Sequence, residues 1–258
     1  MRSTRDGLFP DAAPGWLQPL VDNVDRVPAA YRRRVPPAVR AGIVEANNEA
    51  ARSGSLRDAA VLVLFSGPRD DEPGRLPHDA DLLVTVRAAT LRHHAGQAAF
   101  PGGATDPGDP GPVGTALREA TEETGIDTSR LYPLATLEKM FIPPSKFHVV
   151  PVLAYSPDPG PVHVVDESET AVVARVPVRA FTNPKNRLRV YRDPGTRPFA
   201  GPAFLLHEML VWGFTGQVIS AMLDVAGWAR PWNSEDVRGL DEAMRLVGQD
   251  NGYGEVPR

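Results

Sequence analysis

FPGGATDPGDPGPVGTALREATEETGI, residues 100–126, sets two glycines in a polar turn and then Glu119, Glu122 and Glu123 on one predicted helix. Residues three and four apart on a helix are neighbours, so these carboxylates share a face and repel. Like charges that close raise one another's pKa unless something neutralises them. Hard divalent cations do so through oxygen ligands, and Mg²⁺ is typically held by a few carboxylates together with substrate phosphates. Arg118 precedes the cluster, where its guanidinium can pair with the same carboxylates. Gly125 stands where a helix C-terminus takes a residue that tolerates positive φ. Gly102 and Gly103 let backbone approach a ligand closely, so a loop carbonyl can join a metal shell. Acidic helix faces are mostly just solvated; the conjunction of these features favours a metal site for a phosphorylated ligand.

The rest of the chain bounds this reading. At 258 residues it can bury one substantial core with appended segments, or two small domains. A net charge of −4 argues against a protein that coats nucleic acid. There is no cysteine, which excludes disulfides, thiolate catalysis and zinc–thiolate sites together. The N-terminal stretch lacks the apolar core of a secretory signal. The most membrane-like window, 210–229, is interrupted by Gln217, Asp224 and several glycines, so a buried core helix is expected there. A cytoplasmic protein with no membrane or nucleic-acid partner is the expectation.

Along the chain, residues 1–55 read as an N-terminal helical extension. Trp16, Leu17, Leu20 and Val21 have helical spacing, and 38–54 is an amphipathic helix ended by Gly54. Strands are expected at 59–65 and 81–86, joined by a polar hairpin loop over 67–79. Further extended runs fall at 132–141, 147–155, 170–178 and 187–191, followed by a helix over about 211–227. Ser234 is the expected cap of one more helix before a frayed tail. This divides the chain into 1–55, a main domain over 56–230 and a C-terminal helix and tail over 231–258. The fold class expected from the mixture is an α/β/α sandwich with a mixed sheet and an N-terminal helical arm.

The acidic stretch resembles the Nudix box, in which Gly, five residues, Glu and seven residues precede Arg-Glu-hydrophobic-x-Glu-Glu-x-Gly-hydrophobic. Gly103, Arg118, Glu119, Glu122, Glu123, Gly125 and Ile126 fit it. The upstream acid is Asp109 rather than Glu, and eight residues separate it from Arg118, so whether Asp109 takes that place is open. Ala120 is small for the hydrophobic slot. LVTVRAATLRHHAGQAAFPGG, 83–103, is similar to the segment that precedes the box in coenzyme A pyrophosphatases of this family. Thr85, Arg87, Ala88, Arg92, Gly96, Phe100, Pro101, Gly102 and Gly103 fall in register. WGFTG at 212–216, and Glu169 ahead of Pro177, look like later features of the same subgroup.

The resemblance implies a Nudix-type α/β/α sandwich that hydrolyses a nucleoside diphosphate derivative. Glu119, Glu122 and Glu123, with a Gly103 carbonyl, would hold Mg²⁺ or Mn²⁺, and Arg118 would hold the carboxylates. The general base stays open between a helix glutamate and a loop carboxylate, Glu169 first and Glu167 next. Coenzyme A carries a 3′-phosphate besides its diphosphate. Arg87 and Arg92 suit such groups because guanidinium is a planar, multiply donating fork. Lys146 is a further candidate phosphate contact, with Gly102 and Gly103 at the substrate. Phe141 or Phe147 could stack on adenine, although aromatics at strand ends are usually core. His93 and His94 read more simply as structural, and Arg32–Arg34 as a solvated face. The expected products are 3′,5′-ADP and 4′-phosphopantetheine. The alternatives are ADP-ribose, NADH or a related dinucleotide as substrate, or a noncatalytic nucleotide-sensing module. A homodimer through the terminal helices is compatible with the sequence.

Overall fold

The computed structural model describes residues 7–69, 72–91, 94–192 and 199–248. After two short helices, α1 (Gln18–Val21) and α2 (Val27–Arg33), comes the longer α3 (Pro37–Arg52). The main sheet is built from β1 (Arg57–Ser66), β2 (Asp81–Arg87), β3 (Ala98–Ala99), β4 (Gly102–Ala104), β5 (Tyr132–Thr136), β6 (Met140–Ile142), β7 (Phe147–Ser156) and β8 (Thr170–Pro177). Between β4 and β5 runs α4 (Gly111–Thr124), and α5 (Val178–Thr182) follows β8. The chain then forms β9 (Arg187–Tyr191), β10 (Gly201–Leu206), β11 (Met209–Val211), α6 (Gly213–Val225), β12 (Val237–Gly239) and α7 (Leu240–Leu246).

The main sheet runs β3-β2-β1-β7-β5, with β4 on β1, β6 on β7 and β8 on β2. Its central pair, β1 and β7, is parallel from Arg57↔Phe147 to Ser66↔Ser156, and its other pairings are antiparallel. Both faces are covered, which is why β1 reads as an unbroken apolar run rather than an alternating one. The pleat still sorts its side chains. Ala60, Leu62 and Leu64 join Val152, Ala154 and Leu83 against Ala116 and Ala120 of α4. Val63 and Phe65 join Leu153, Tyr155 and Leu82 on the opposite face, with Val218, Ala221 and Met222 of α6. The result is a mixed sheet between helical layers, an α/β/α sandwich.

The early N-terminal helices belong to that second layer. Leu17, Leu20, Val27 and Ala30 are buried in the same core as α6. Trp16 has no exposed surface, donates its indole N–H to Pro68 O at 2.9 Å, and meets Phe65, Tyr155 and Trp228 with ring centroids 5.8–6.3 Å apart. By contrast α3 buries only Ala50.

The C-terminal third differs from the sequence reading in two places. A β10–β11 hairpin occupies 201–211, where no strand was expected, and α6 therefore starts at Gly213. The expected helix at Ser234 is also corrected: residues 233–236 turn, with Asn233 Oδ1 accepting from Glu235 N–H at 3.0 Å. Val237–Gly239 then pairs parallel with β9, and the helix begins only at Leu240. The sheet's demand for a partner strand outweighs the local capping preference of Ser234. Leu240, Ala243, Met244 and Val247 close a small core of their own over Leu188, Val190, Ala203 and Leu210. Among the described residues no helix is long and apolar enough to cross a membrane.

Replacing Trp16 by Ala should cost about 3–5 kcal/mol, the usual range for a buried large aromatic. Urea unfolding checks this: a loss near zero would mean that the N-terminal segment is not part of the cooperative core.

Candidate metal and diphosphate site

Pressing α4 onto the sheet decides the site. Ala116 and Ala120 are fully buried against β1 and β7, so the helix lies close and its next face, carrying Glu119 and Glu123, meets the backbone of β4. The small Ala120 in the hydrophobic slot suits this close approach. Gly103 is where the two elements touch. A Cβ there would fall 2.6 Å from the carboxyl carbon of Glu119, so glycine is required for that carboxylate to lie where it does. Gly102 N–H donates to Glu123 Oε2 at 3.2 Å.

Arg118 organises the cluster from the other side. Its Nη2 lies 3.0 Å from Glu119 Oε1 and its Nη1 2.9 Å from Glu122 Oε2. Nη2 also donates to Ala104 O at 2.9 Å, tying helix to strand. The guanidinium is itself gripped by Asp109, Nε to Oδ1 at 2.9 Å and Nη2 to Oδ2 at 3.0 Å. Thr115 Oγ1 and Asp106 N–H both donate to Asp109 Oδ2 at 2.9 Å. These bonds, Arg118 first, hold the Asp109 carboxyl far below the usual range. Asp109 thus serves as the seat of Arg118, an arrangement its altered type and spacing did not reveal.

The three helix glutamates are not equivalent. Glu122 is exposed and bound to Arg118, whereas the Glu123 side chain is 7 % exposed. Burial pushes Glu123 up to about 7, against the opposing pull of Arg87 and the Gly102 N–H, with Glu119 and Glu169 adding repulsion. Glu119 is also raised, by burial first and then by Glu122 and Glu169, with Arg118 opposing. Glu169, expected from sequence as a loop carboxylate, therefore lies within electrostatic reach of both. Its carbonyl accepts from Ala88 N–H at 2.9 Å, which seats it beside Arg87 at the end of β2.

Arg87 approaches the same point, with Nη1 3.8 Å from Glu123 Oε1 and its buried Nε without a hydrogen-bond partner among the described residues. The side chain is 31 % exposed, so the outer part of its fork can meet an anion. Arg92 and His93 lie outside the described residues. His94 is held by Gln97, at 2.9 Å from Nδ1 to Oε1. Lys146 is exposed on the β6–β7 turn; its backbone bonds run to Ile142, Pro143 and Arg57, and among the described residues no ion pair joins it to the helix carboxylates. Phe147 carries Arg57 over its ring and Phe141 meets His148 edge-on. Arg32 and Arg34 pair with Glu138 and Asp224.

Among the described residues no three His, Asp or Glu side chains stand in ready metal-ligating geometry. Arg118 instead occupies oxygens of Glu119 and Glu122. The residues nevertheless fit Mg²⁺ or Mn²⁺ chemically. All donors are hard oxygens, Glu119 and Glu123 are both raised toward neutrality, and the cation nearest Glu123 is 3.8 Å away. A divalent ion beside these carboxylates would relieve that repulsion.

A model of the NUDIX domain matches residues 57–194, more than half of the chain, and the chain belongs to the Nudix family. It is 43 % identical over 128 residues to a Cronobacter sakazakii protein described as an uncharacterized Nudix hydrolase, NudL, a match covering 48 % of this chain and 60 % of that protein. A Yersinia pestis protein of the same description is 43 % identical over 126 residues, covering 49 % and 58 %. The chain thus spans about 60 % of the length of the curated relatives it matches. Among solved structures, the Mycobacterium smegmatis Nudix hydrolase RenU is similar at 26 % identity and a TM-score of 0.38, covering 48 % of this chain and 71 % of that one.

The pKa of Glu123 has a consequence for stability. Without metal, the unfolded chain releases this proton near 4.5 and the folded chain only near 7. Between those values the unfolded state binds fewer protons, so stability falls as pH rises and stays low above 7. Metal-free Glu123→Gln should therefore melt higher than the parent at pH 8, on the order of 5 °C for a chain of this size. The two should converge near pH 4. Calorimetric scans in chelator test this, and a variant that melts lower at pH 8 would refute the buried charge.

Proposed function

We propose that this member of the Nudix family is a divalent-cation-dependent pyrophosphohydrolase acting on the diphosphate of coenzyme A or its acyl and oxidised derivatives. The observation that carries the chemistry is the packing of Glu119 and Glu123 against the Gly102–Gly103 backbone, with Arg87 at their edge and Glu169 within electrostatic reach. A diphosphate is itself anionic, so this surface can receive it only with cations between. When bound, Mg²⁺ or Mn²⁺ would neutralise the phosphates and acidify the attacking water. Glu119 and Glu123 would hold the ion, with Glu122 as a ligand through water or directly and the Gly103 carbonyl beside them. Arg118, fixed by Asp109, keeps Glu119 and Glu122 from drifting into solvent.

Arg87 binds and orients a phosphate oxygen through the part of its fork that Glu123 does not face. Glu169 accepts the proton as water adds to phosphorus and the bridging P–O bond breaks, releasing 3′,5′-ADP and 4′-phosphopantetheine. It suits this role because it comes from a loop rather than the helix and stays free of Arg118. The coenzyme A assignment is supported by the 83–103 segment, whose Arg87 and Gly102–Gly103 border the carboxylates.

Pure protein incubated with coenzyme A and Mg²⁺ or Mn²⁺ should yield both products by mass spectrometry. Efficient turnover of ADP-ribose or NADH with neither product would reject the substrate and keep the chemistry. Glu123→Gln should lower turnover by about two orders of magnitude or more while the chain stays folded. Retained activity would reject the metal assignment, and metal-dependent nucleotide binding without turnover of any of these substrates would mark a sensor.

A further inference from the structure

Glu169 comes to the cluster from outside the helix, yet the segment that delivers it is tied to that helix. The last carbonyls of an α-helix have no intrahelical partners. In α4 two of them are taken by the chain leading to Glu169: His163 N–H donates to Thr124 O at 3.0 Å and Val165 N–H to Glu123 O at 3.5 Å. Val162, just before, packs against the core under α4. The His163 ring lies directly over Gly125, where a Cβ would stand 2.9 Å from each ring nitrogen. Gly125 is therefore needed twice, for its φ of 65° and for the room it leaves this ring.

The other end of the segment is equally fixed. Asp166 O accepts from Glu169 N–H at 3.2 Å and from Thr170 N–H at 2.9 Å, and Asp166 Oδ1 accepts from Ser168 N–H at 2.8 Å. Glu169 O then receives the Ala88 N–H at 2.9 Å. This strap, 162–169, is thus bound to the helix at Glu123 and its neighbour, and to the strand one residue beyond Arg87. Apart from the half-buried Val162 and Val164 the strap is exposed, His163 and Glu169 included, so its contacts with α4 and Ala88 set where Glu169 stands.

We propose that His163 is a positioning residue: packed on bare Gly125, its ring fixes the register of the strap on α4 and thereby the place of Glu169 beside Glu119 and Glu123. The proposal rests on the reading of this chain as a diphosphate hydrolase that uses Glu169. Removing the ring leaves both helix carbonyls available but frees the strap to slide along them. An error of an ångström in a catalytic group is enough to cost one to two orders of magnitude in rate.

The test compares the parent, His163→Ala, Glu169→Gln and the double variant in steady-state hydrolysis of coenzyme A with Mg²⁺. Hydrogen exchange of the Ala88 amide is followed by NMR in parent and His163→Ala. His163→Ala should lower kcat about tenfold or more with KM nearly unchanged, and should add nothing on top of Glu169→Gln. The Ala88 amide should exchange faster without the ring. An equal loss in both backgrounds overturns the proposal, as does unaltered kcat with unaltered Ala88 exchange. A fully active Glu169→Gln overturns it together with the role of Glu169. If coenzyme A is not hydrolysed at all, the substrate reading alone fails, and Ala88 exchange decides whether His163 fixes the strap.

Discussion

Burying carboxylate charge beside a backbone with too few cations is the constraint on which this site depends. Ala116 and Ala120 let α4 sink onto the sheet, and the same descent carries Glu123 out of water and sets Glu119 against Gly103. A buried carboxylate with a weak partner is costly and drifts toward its neutral form. The fold tolerates this because the surrounding apolar core is extensive and the strained charges are few. In the proposed hydrolase, that same repulsion is what a divalent ion between the carboxylates would relieve.

Arg118 shows how the remaining charge is managed. One guanidinium meets Asp109, Glu119, Glu122 and the Ala104 carbonyl, joining the turn before the helix, the helix itself and strand β4. Its five donors make this possible where a lysine's point charge would not. Asp109 gives it a seat that stays ionised throughout the physiological range, so the scaffold carboxylate is kept distinct from the buried helix carboxylates. Hydrogen bonds between the two hold Asp109 below the usual carboxylate range and Arg118 above its own, so this scaffold pair is permanently charged, whereas burial pushes Glu123 up to about 7.

The sequence made some of this legible because helical spacing is a local property. Glu119, Glu122 and Glu123 share a face for any chain that is helical there, and Gly125 marks its end whatever lies around it. Asp109 could not be placed in the same way. Its type and spacing depart from the box, and only the turn at 109–111 shows how its carboxylate reaches Arg118. Ser234 is the opposite lesson: a good local cap lost to the parallel pairing of Val237–Gly239 with β9, a contact between distant residues. The β10–β11 hairpin escaped for a related reason, because a short apolar run does not announce whether it is strand or helix.

By itself the sequence determined the periodicities: apolar runs for a sheet covered on both faces, an acidic helix face, and glycines where backbone must turn or come close. It also carried the resemblance that pointed to a diphosphate. Tertiary structure decided the electrostatics. Burial made Glu123 unlike Glu122, although they are adjacent in the chain, and the β2–β8 pairing brought Glu169 beside Arg87. Spacing along a chain fixes which residues can share a face. How far each is removed from water, and which distant charge stands opposite, follows only from the packing of that face on the rest of the molecule.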